Sequence, residues 1–591
     1  MSEARTRKKL KKDPTKKTQS GSQSTRGNTN ETAGSPSSSF STTFILLPIF
    51  LAASAYFYLN PSFLISFLDE FIGFSEHYDG APVAHQPKLT YLPADIEKRD
   101  AVVEAFKHSW HAYERNAMGN DQYHPLSQQG SNLTAAGGIG YMVVDVIDSL
   151  QIMGLQDEYS RARTWVAEKL TFERDDRFST FETTIRVLGG LLSAYHLSKN
   201  DPLFLNKATE LADRMLPVFD TPSGVPLPVI NLAQRKGYQT EDFPGVTSIA
   251  EIGTLQLEFR YLSQLTRDAK YWQTVENVME VIRHARLPHG LASVFVNIET
   301  GQYETSVIRL GSRGDSFYEY LLKQYLQTNN NEKIYLEMYE DAMDAVHNHL
   351  LRKSMGNQMT YTSELVPEDD ENGDLTWRLT PKQDHLVCFL GGSLMLGATR
   401  AGALVEKVSI PPQPDELSEK GKRDWNTGVE LIKTCMNTHD TATGLSPEIV
   451  YFRVPSDGMD AYPQAPTDWY IRGAAAGEFP PYDARYMLRP ETVESLFLAY
   501  RLTGDRIYRD YGWGIFRSIE KHCRVPTGGY ATIVNVDENP VRQEDIMETF
   551  FLSETLKYLY LLFSDSNVIP LDRYVFNTEA HPFPIFDPVA I

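Results

Sequence analysis

Residues 180–217 read TFETTIRVLGGLLSAYHLSKNDPLFLNKATELADRMLP. Apolar side chains recur at helical spacing over 180–198 and again over 203–217. Between them, Ser198-Lys199-Asn200-Asp201-Pro202 carries helix-stop and helix-start residues, with a proline that cannot continue the first helix but can open the second. The stretch therefore predicts an αα-hairpin with a short turn. Twelve further segments have the same periodicity: approximately 98–117, 139–153, 157–171, 247–265, 269–285, 313–327, 332–352, 384–401, 418–438, 489–503, 505–521 and 545–563. Fourteen helices make seven hairpins. Gln327-Thr328-Asn329-Asn330-Asn331 and Leu502-Thr503-Gly504-Asp505 supply two more short turns. The other joints are long and carry β-like residues, as in 290–306 and 528–537. Short and long joints in alternation predict an all-α, closed (α/α)7 toroid with short β segments and its long loops gathered on one face, an open α-solenoid being the alternative.

The chain has 591 residues, 41% hydrophobic and 23% charged, enough to bury a large core. Its N-terminus is different. Residues 1–42 form a basic, Ser/Thr/Gly-rich tail, with nine Lys+Arg against three acids in the first forty residues, while the whole chain is at −20. Then comes the apolar run Phe44–Leu59 and a second stretch to Phe74. A signal peptide places its charged region at the very start and has a shorter apolar core. We therefore expect a type II transmembrane anchor over 43–68, a basic side that stays cytoplasmic, a Pro-rich stem over 69–96, and a lumenal domain over 97–591. An oxidising lumen permits disulfides, and Cys388 and Cys435, both in apolar helix-like segments, are the expected pair, with Cys523 left over. No Cys/His spacing suits zinc. Asn132-Leu133-Thr134 is a lumenal glycosylation sequon.

Four blocks centre on acids: FETTIR on Glu182, GSRGDSFYEY on Asp315, TGLSPEIV on Glu448 and RPETVES on Glu491. Taken singly, each has a plain structural reading. Glu182 complements a helix N-terminus and pairs with Arg186 at i,i+4, Asp315 caps a helix, Glu491 and Glu494 follow a helix-opening proline, and Glu448 is a loop acid. What they share is company: Arg186, Arg313 and Arg489 stand beside three of them, with aromatics suited to sugar faces nearby. Glu251, Glu258, Glu319, His385, Phe550 and Glu554 extend the set. Several acids aimed at one point suit glycosidic cleavage, which needs one carboxylic acid to protonate the leaving oxygen and a second carboxylate to activate water or attack.

The blocks FETTIRVLGGLLSAYHLS, GSRGDSFYEYLLKQ, DHLVCFLGGSL, TGLSPEIV, LRPETVESLF, METFFLSETLKYLYLLF and VFNTEAHP, in that order between about 98 and 585, resemble those of the class I α-1,2-mannosidases, glycoside hydrolase family 47. The resemblance implies an (α/α)7 barrel, an inverting mechanism, a bound Ca2+ and action on Man9GlcNAc2 N-glycans at the endoplasmic-reticulum membrane, with the Golgi as the alternative residence. It makes Glu182 the proton donor through a water, with Asp315 as the other acid on that side, Glu491 the base and Glu448 a further active-site acid. In an inverting enzyme the two carboxyl groups stand roughly 6.5–9.5 Å apart. Thr578 would be the calcium ligand, with Glu494, Glu554 and Glu579 orienting water and hydroxyls around it. Arg186, Glu251, Glu258, Arg313, Glu319, His385, Arg489 and Phe550 complete the expected sugar-binding set. Arg313, two residues before Asp315, resembles the type that removes chiefly one mannose, whereas the Golgi type carries a smaller apolar residue there and trims further. The Cys388–Cys435 pair also matches; Cys523 has no counterpart. Rival readings are a degradation-enhancing mannosidase-like protein and a lectin that has lost catalysis. No nucleic-acid partner and no obligate protein partner is expected.

Overall fold

The computed structural model describes residues 88–285, 290–461, 465–474 and 479–588. The basic tail, the expected anchor over 43–68 and the stem up to residue 87 lie outside the described residues. Among the described residues no helix is long and apolar enough to cross a membrane. The end of the expected stem is already part of the barrel: Leu92 is buried, and the Leu89 amide donates to the Ile410 carbonyl at 2.7 Å.

Among the described residues fourteen helices alternate between two layers. The outer set is α1 (Ile96–Ala117), α3 (Gln156–Glu168), α5 (Pro202–Met215), α7 (Ala269–Ala285), α9 (Lys333–His349), α11 (Glu419–Asn437) and α13 (Arg506–His522). The inner set is α2 (Tyr141–Ile152), α4 (180–197), α6 (249–266), α8 (Asp315–Gln327), α10 (Phe389–Arg400), α12 (Glu491–Thr503) and α14 (551–563). Each inner helix packs on the next inner one, and α14 returns to α2, so the ring is closed. Burial separates the layers as the hydrophobic pattern requires. Every residue of α8 after Asp315 is buried, whereas α3 buries only Ala162 and Val166.

Local chemistry sets the ends. Ser179 accepts from the Glu182 amide at 3.2 Å to start α4, and Asp201 accepts from the Leu203 amide at 3.1 Å to start α5. Lys199 and Asn200 take left-handed conformations between them, and Gly504 does the same after α12. The β-like joints are short ladders: Val246–Ser248 pairs with Phe295–Asn297, and Thr532–Ile533 with Gln543–Glu544.

Three details differ from the sequence reading. The inner helix expected over 545–563 begins at 551, because Met547 is drawn into a bridge with Tyr123 and the Asp545 carboxylate accepts from the Leu126 amide. Helix α6 is interrupted at Thr254-Leu255, where the Thr254 hydroxyl donates to Ser316. Both α4 (Thr183–Leu188) and α14 (Phe551–Thr555) contain π-helical turns in the very blocks that carry functional residues. The Cys388–Cys435 disulfide ties the start of α10 to the end of α11, and Cys523 is a buried free thiol.

Candidate active site

Consecutive helices of an αα-ring run in opposite senses, so the seven inner helices present their N-termini at one end. Hydrogen bonds join neighbouring elements near that end. Tyr141 of α2 donates to Glu182 of α4 at 3.1 Å, Thr254 of α6 to Ser316 of α8 at 2.8 Å, and His385 bonds Thr492 of α12 at 3.0 Å. Glu182, Asp315 and Glu491 all lie in first turns, where the positive helix ends favour carboxylates.

Arg186 is the hub on one side. Its Nε donates to Glu182 at 2.9 Å, and its Nη1 donates to Glu579 at 2.6 Å and to Thr549 at 3.0 Å. Burial opposes its charge, but Glu579, Tyr141 and Glu182 outweigh that and keep it a cation. Across the site Arg489 donates to both oxygens of Glu448, at 2.9 and 2.7 Å, and lies 3.6 Å from Glu491. Phe550 links the two, its ring 5.7 Å from the Arg186 guanidinium and 5.6 Å from that of Arg489. Side-chain exposure falls from 37% at Glu182 through 13% at Glu491 to 6% at Glu579, so the cluster descends from an accessible rim to a closed floor.

The floor is the C-terminal hairpin, Tyr574–Phe576 against Pro582–Pro584. Thr578 at its tip donates to Glu319 at 2.8 Å, and Glu319 and Glu494 flank the buried Lys323 ammonium. Burial raises Asp315 and Glu491 to about 7 and Glu494 and Glu579 to about 8, and pushes Glu554 well above the ordinary carboxylate range, with Glu579 adding to it. One oxygen of Glu491 is buried with no hydrogen-bond partner among the described residues.

Other expected residues are placed differently. Glu258 does not face the cluster from the solvent side. It is fully buried under the floor, accepting from Tyr320 at 2.8 Å and Asn577 at 2.7 Å. Glu251 forms a capping box with Ser248 at the start of α6. His385 is buried beneath Thr492 with His439 beside it, and burial drives it well below the usual imidazole value, so it is neutral. Arg313 lies against Phe243 and Phe295, not against an acid. The Asn132 side-chain oxygen Oδ1 accepts from the Asp121 backbone amide at 3.2 Å on the half-buried loop after α1.

A family model described as Glycosyl hydrolase family 47 matches residues 105–585. The chain belongs to glycosyl hydrolase family 47. Relatives at similar distance include a mannosyl-oligosaccharide 1,2-alpha-mannosidase of Candida albicans, 44% identical over 84% of this chain and 84% of that one. The endoplasmic reticulum mannosyl-oligosaccharide 1,2-alpha-mannosidase of Schizosaccharomyces pombe is 41% identical over 86% and 93%, and its namesake in Homo sapiens 42% over 83% and 64%. Among solved structures, an alpha-1,2-mannosidase from Trichoderma reesei superposes with a TM-score of 0.71 at 28% identity, covering 83% of this chain and all of that one.

In this family 47 chain the sequence blocks pick out the acids but miss what supports them. Asp145 and Asp148 of α2 hold His581 from both sides, at 3.1 and 2.8 Å, and Lys557 pairs with Asp148 at 2.9 Å, all fully buried. Asp145 also lies 3.6 Å from Arg186. Glu548, raised by burial and by Glu182 and Glu448 against the pull of Arg186 and Arg489, belongs to the same cluster. Its signal was in the METFF block, two residues from Phe550.

Proposed function

We propose that this chain is an inverting exo-α-1,2-mannosidase that removes terminal α-1,2-linked mannose from Man9GlcNAc2 N-glycans, giving mainly one Man8 isomer. The observation that carries the reading is a ring of helix N-termini, lined with acids, whose far end is plugged by the C-terminal hairpin. A blind site admits a chain end and not a chain middle, which is what exo action requires.

Glu491 is the base in this proposal. A carboxylate poised near 7 accepts a proton effectively at neutral pH, and its unpartnered oxygen is available to a water. Glu182, oriented by Tyr141 and Arg186, protonates the leaving oxygen through a water, and Asp315, which holds a proton up to about 7, is the second acid on that side. Glu448 has both oxygens committed to Arg489, so it acts by fixing that arginine near Glu491. Phe550 between the two arginines offers an apolar face to a sugar ring.

The floor suits Ca2+. Thr578 and the neighbouring carboxyls offer only hard oxygens, and a divalent cation there would favour the charged forms of acids that burial pushes up. Among the described residues no three His, Cys, Asp or Glu side chains enclose an ion by themselves. Thr578 would therefore hold it with water and sugar hydroxyls, while Glu319, Glu494, Glu554 and Glu579 orient those. When bound, the ion fixes and polarises sugar hydroxyls. The proposal places the enzyme at the endoplasmic-reticulum membrane through an anchor over 43–68. The basic tail before that run, the names of the relatives and a disulfide suited to an oxidising lumen support this.

The test is to incubate the protein with Man9GlcNAc2 with and without chelator, identify the product isomer and record the anomer released. β-Mannose, a single dominant Man8 isomer and loss of activity in chelator are expected. Release of α-mannose, or cleavage inside the glycan, would overturn the reading.

A further inference from the structure

We infer that Phe243 and Phe295 form an aromatic clamp that positions the Arg313 guanidinium for branch selection; this rests on the mannosidase reading above. Arg313 belongs to a tightly determined turn. The Gly314 and Asp315 amides both donate to the Gly311 carbonyl at 3.0 Å, the Ser312 amide donates to Asp384 at 3.1 Å, and the Arg313 carbonyl accepts from the Ala250 amide at 3.1 Å. Within that turn Arg313 is left-handed, with φ +72°, a conformation that residues with a Cβ adopt only when their surroundings impose it.

Its guanidinium centre lies 4.6 Å from the centroid of the Phe243 ring and 5.8 Å from that of Phe295, and the two rings are 5.0 Å apart. No carboxylate pairs with it among the described residues. An arginine held by ring faces keeps its N–H donors for other acceptors, whereas one held by an acid has spent them. Phe295 stands in the ladder opposite Ser248, and Phe243 lies on the loop leading into the Val246–Ser248 strand. Ser248 in turn makes the capping box with Glu251, so the start of α6 anchors the clamp. These loops precede the N-termini of α6 and α8, on the rim that carries Glu182 and Glu491. Simple packing, with Arg313 only covering two phenylalanines, makes a different prediction about the ring.

The experiment compares full-length wild type, R313L, F243A, F243L, F243Y and F243A/R313L on Man9GlcNAc2, reading the ratio of Man8 isomers at matched conversion, with melting curves to verify folding. Loss of one cation–π contact is expected to move the isomer ratio by roughly 2- to 5-fold. F243A should shift it in the direction of R313L, F243L should do the same, F243Y should restore the wild-type ratio, and the double variant should match R313L. A wild-type ratio in F243L would reduce the clamp to apolar cover and overturn the proposal, as would additive shifts in the double variant. If R313L itself leaves the ratio unchanged, Arg313 does not select branches; if R313L shifts it and F243A does not, only the clamp fails.

Discussion

Replacing Glu491 by Gln separates chemistry from stability at one position. Burial lifts this carboxyl from 4.5 to about 7, so the folded protein keeps a proton there that the unfolded chain has lost. Folding stability therefore falls as pH rises from about 4.5 to about 7, and above that the penalty is complete. Each pH unit between those two values is worth about 1.4 kcal/mol, which brings the full penalty to about 3 kcal/mol. Gln cannot ionise, so E491Q escapes the penalty, less about 1 kcal/mol for an amide N–H without an acceptor in a buried place. The variant should be more stable than wild type by about 2 kcal/mol at pH 8, and equal or slightly weaker at pH 4. Urea unfolding in chelator, at several pH values, measures this without interference from a bound ion. Turnover should fall by on the order of a thousandfold or more as the base is lost. Wild-type turnover would remove Glu491 from the base role, and a stability difference that does not grow from pH 4 to pH 8 would refute the burial argument.

Chelator should lower the melting temperature more at pH 8 than at pH 5, because at pH 5 Glu494 and Glu579, with values of about 8, hold protons that stand in for the ion; Thr578→Ala should abolish most of the calcium-dependent part of the melt. Arg186→Met leaves Glu182 without its cation and Glu579, largely protonated at neutral pH, without a donor, so kcat/KM should fall at least about a hundredfold and stability by about 1–3 kcal/mol at neutral pH, with a larger loss above about pH 8 where Glu579 ionises. Breaking the disulfide with Cys388→Ser, which spans 47 residues, should cost about 2–4 kcal/mol in urea unfolding while leaving the substrate preference intact.

The helices were legible because an outer helix such as α13 must alternate solvent and core, and because Asp201, Asn200 and Gly504 punctuate the turns. Tertiary demands hid the rest. The break at Thr254-Leu255 serves a hydrogen bond to Ser316 sixty-two residues on, and the late start of α14 serves Tyr123 at the far end of the chain. The hairpin Glu364–Asp369 with Leu375–Thr380 was missed although Leu375, Trp377 and Leu379 alternate with polar residues, because almost all of that second strand is exposed and the alternation marks no buried face. Within the site, Glu182, Asp315 and Glu491 each passed as a helix cap until the ordered blocks gathered them. Asp145 and Asp148 lay outside every block, and His581, though inside VFNTEAHP, could not be joined to them, since partners more than 400 residues apart have no local pattern. Arg313 looked like a partner for an acid; only the fold brings Phe243 and Phe295 against it.

The hairpin that forms the floor is bonded to residues far from it in sequence. Asn577 bonds Glu258 across 319 positions, and His581 reaches Asp148 across 433. Without those residues beneath the ring, Glu258, Arg186 and the α2 aspartates each lose a buried partner and the cavity has no bottom. Residues more than 300 positions apart must therefore meet before the site has a floor, so no shorter stretch of the ring assembles the site by itself.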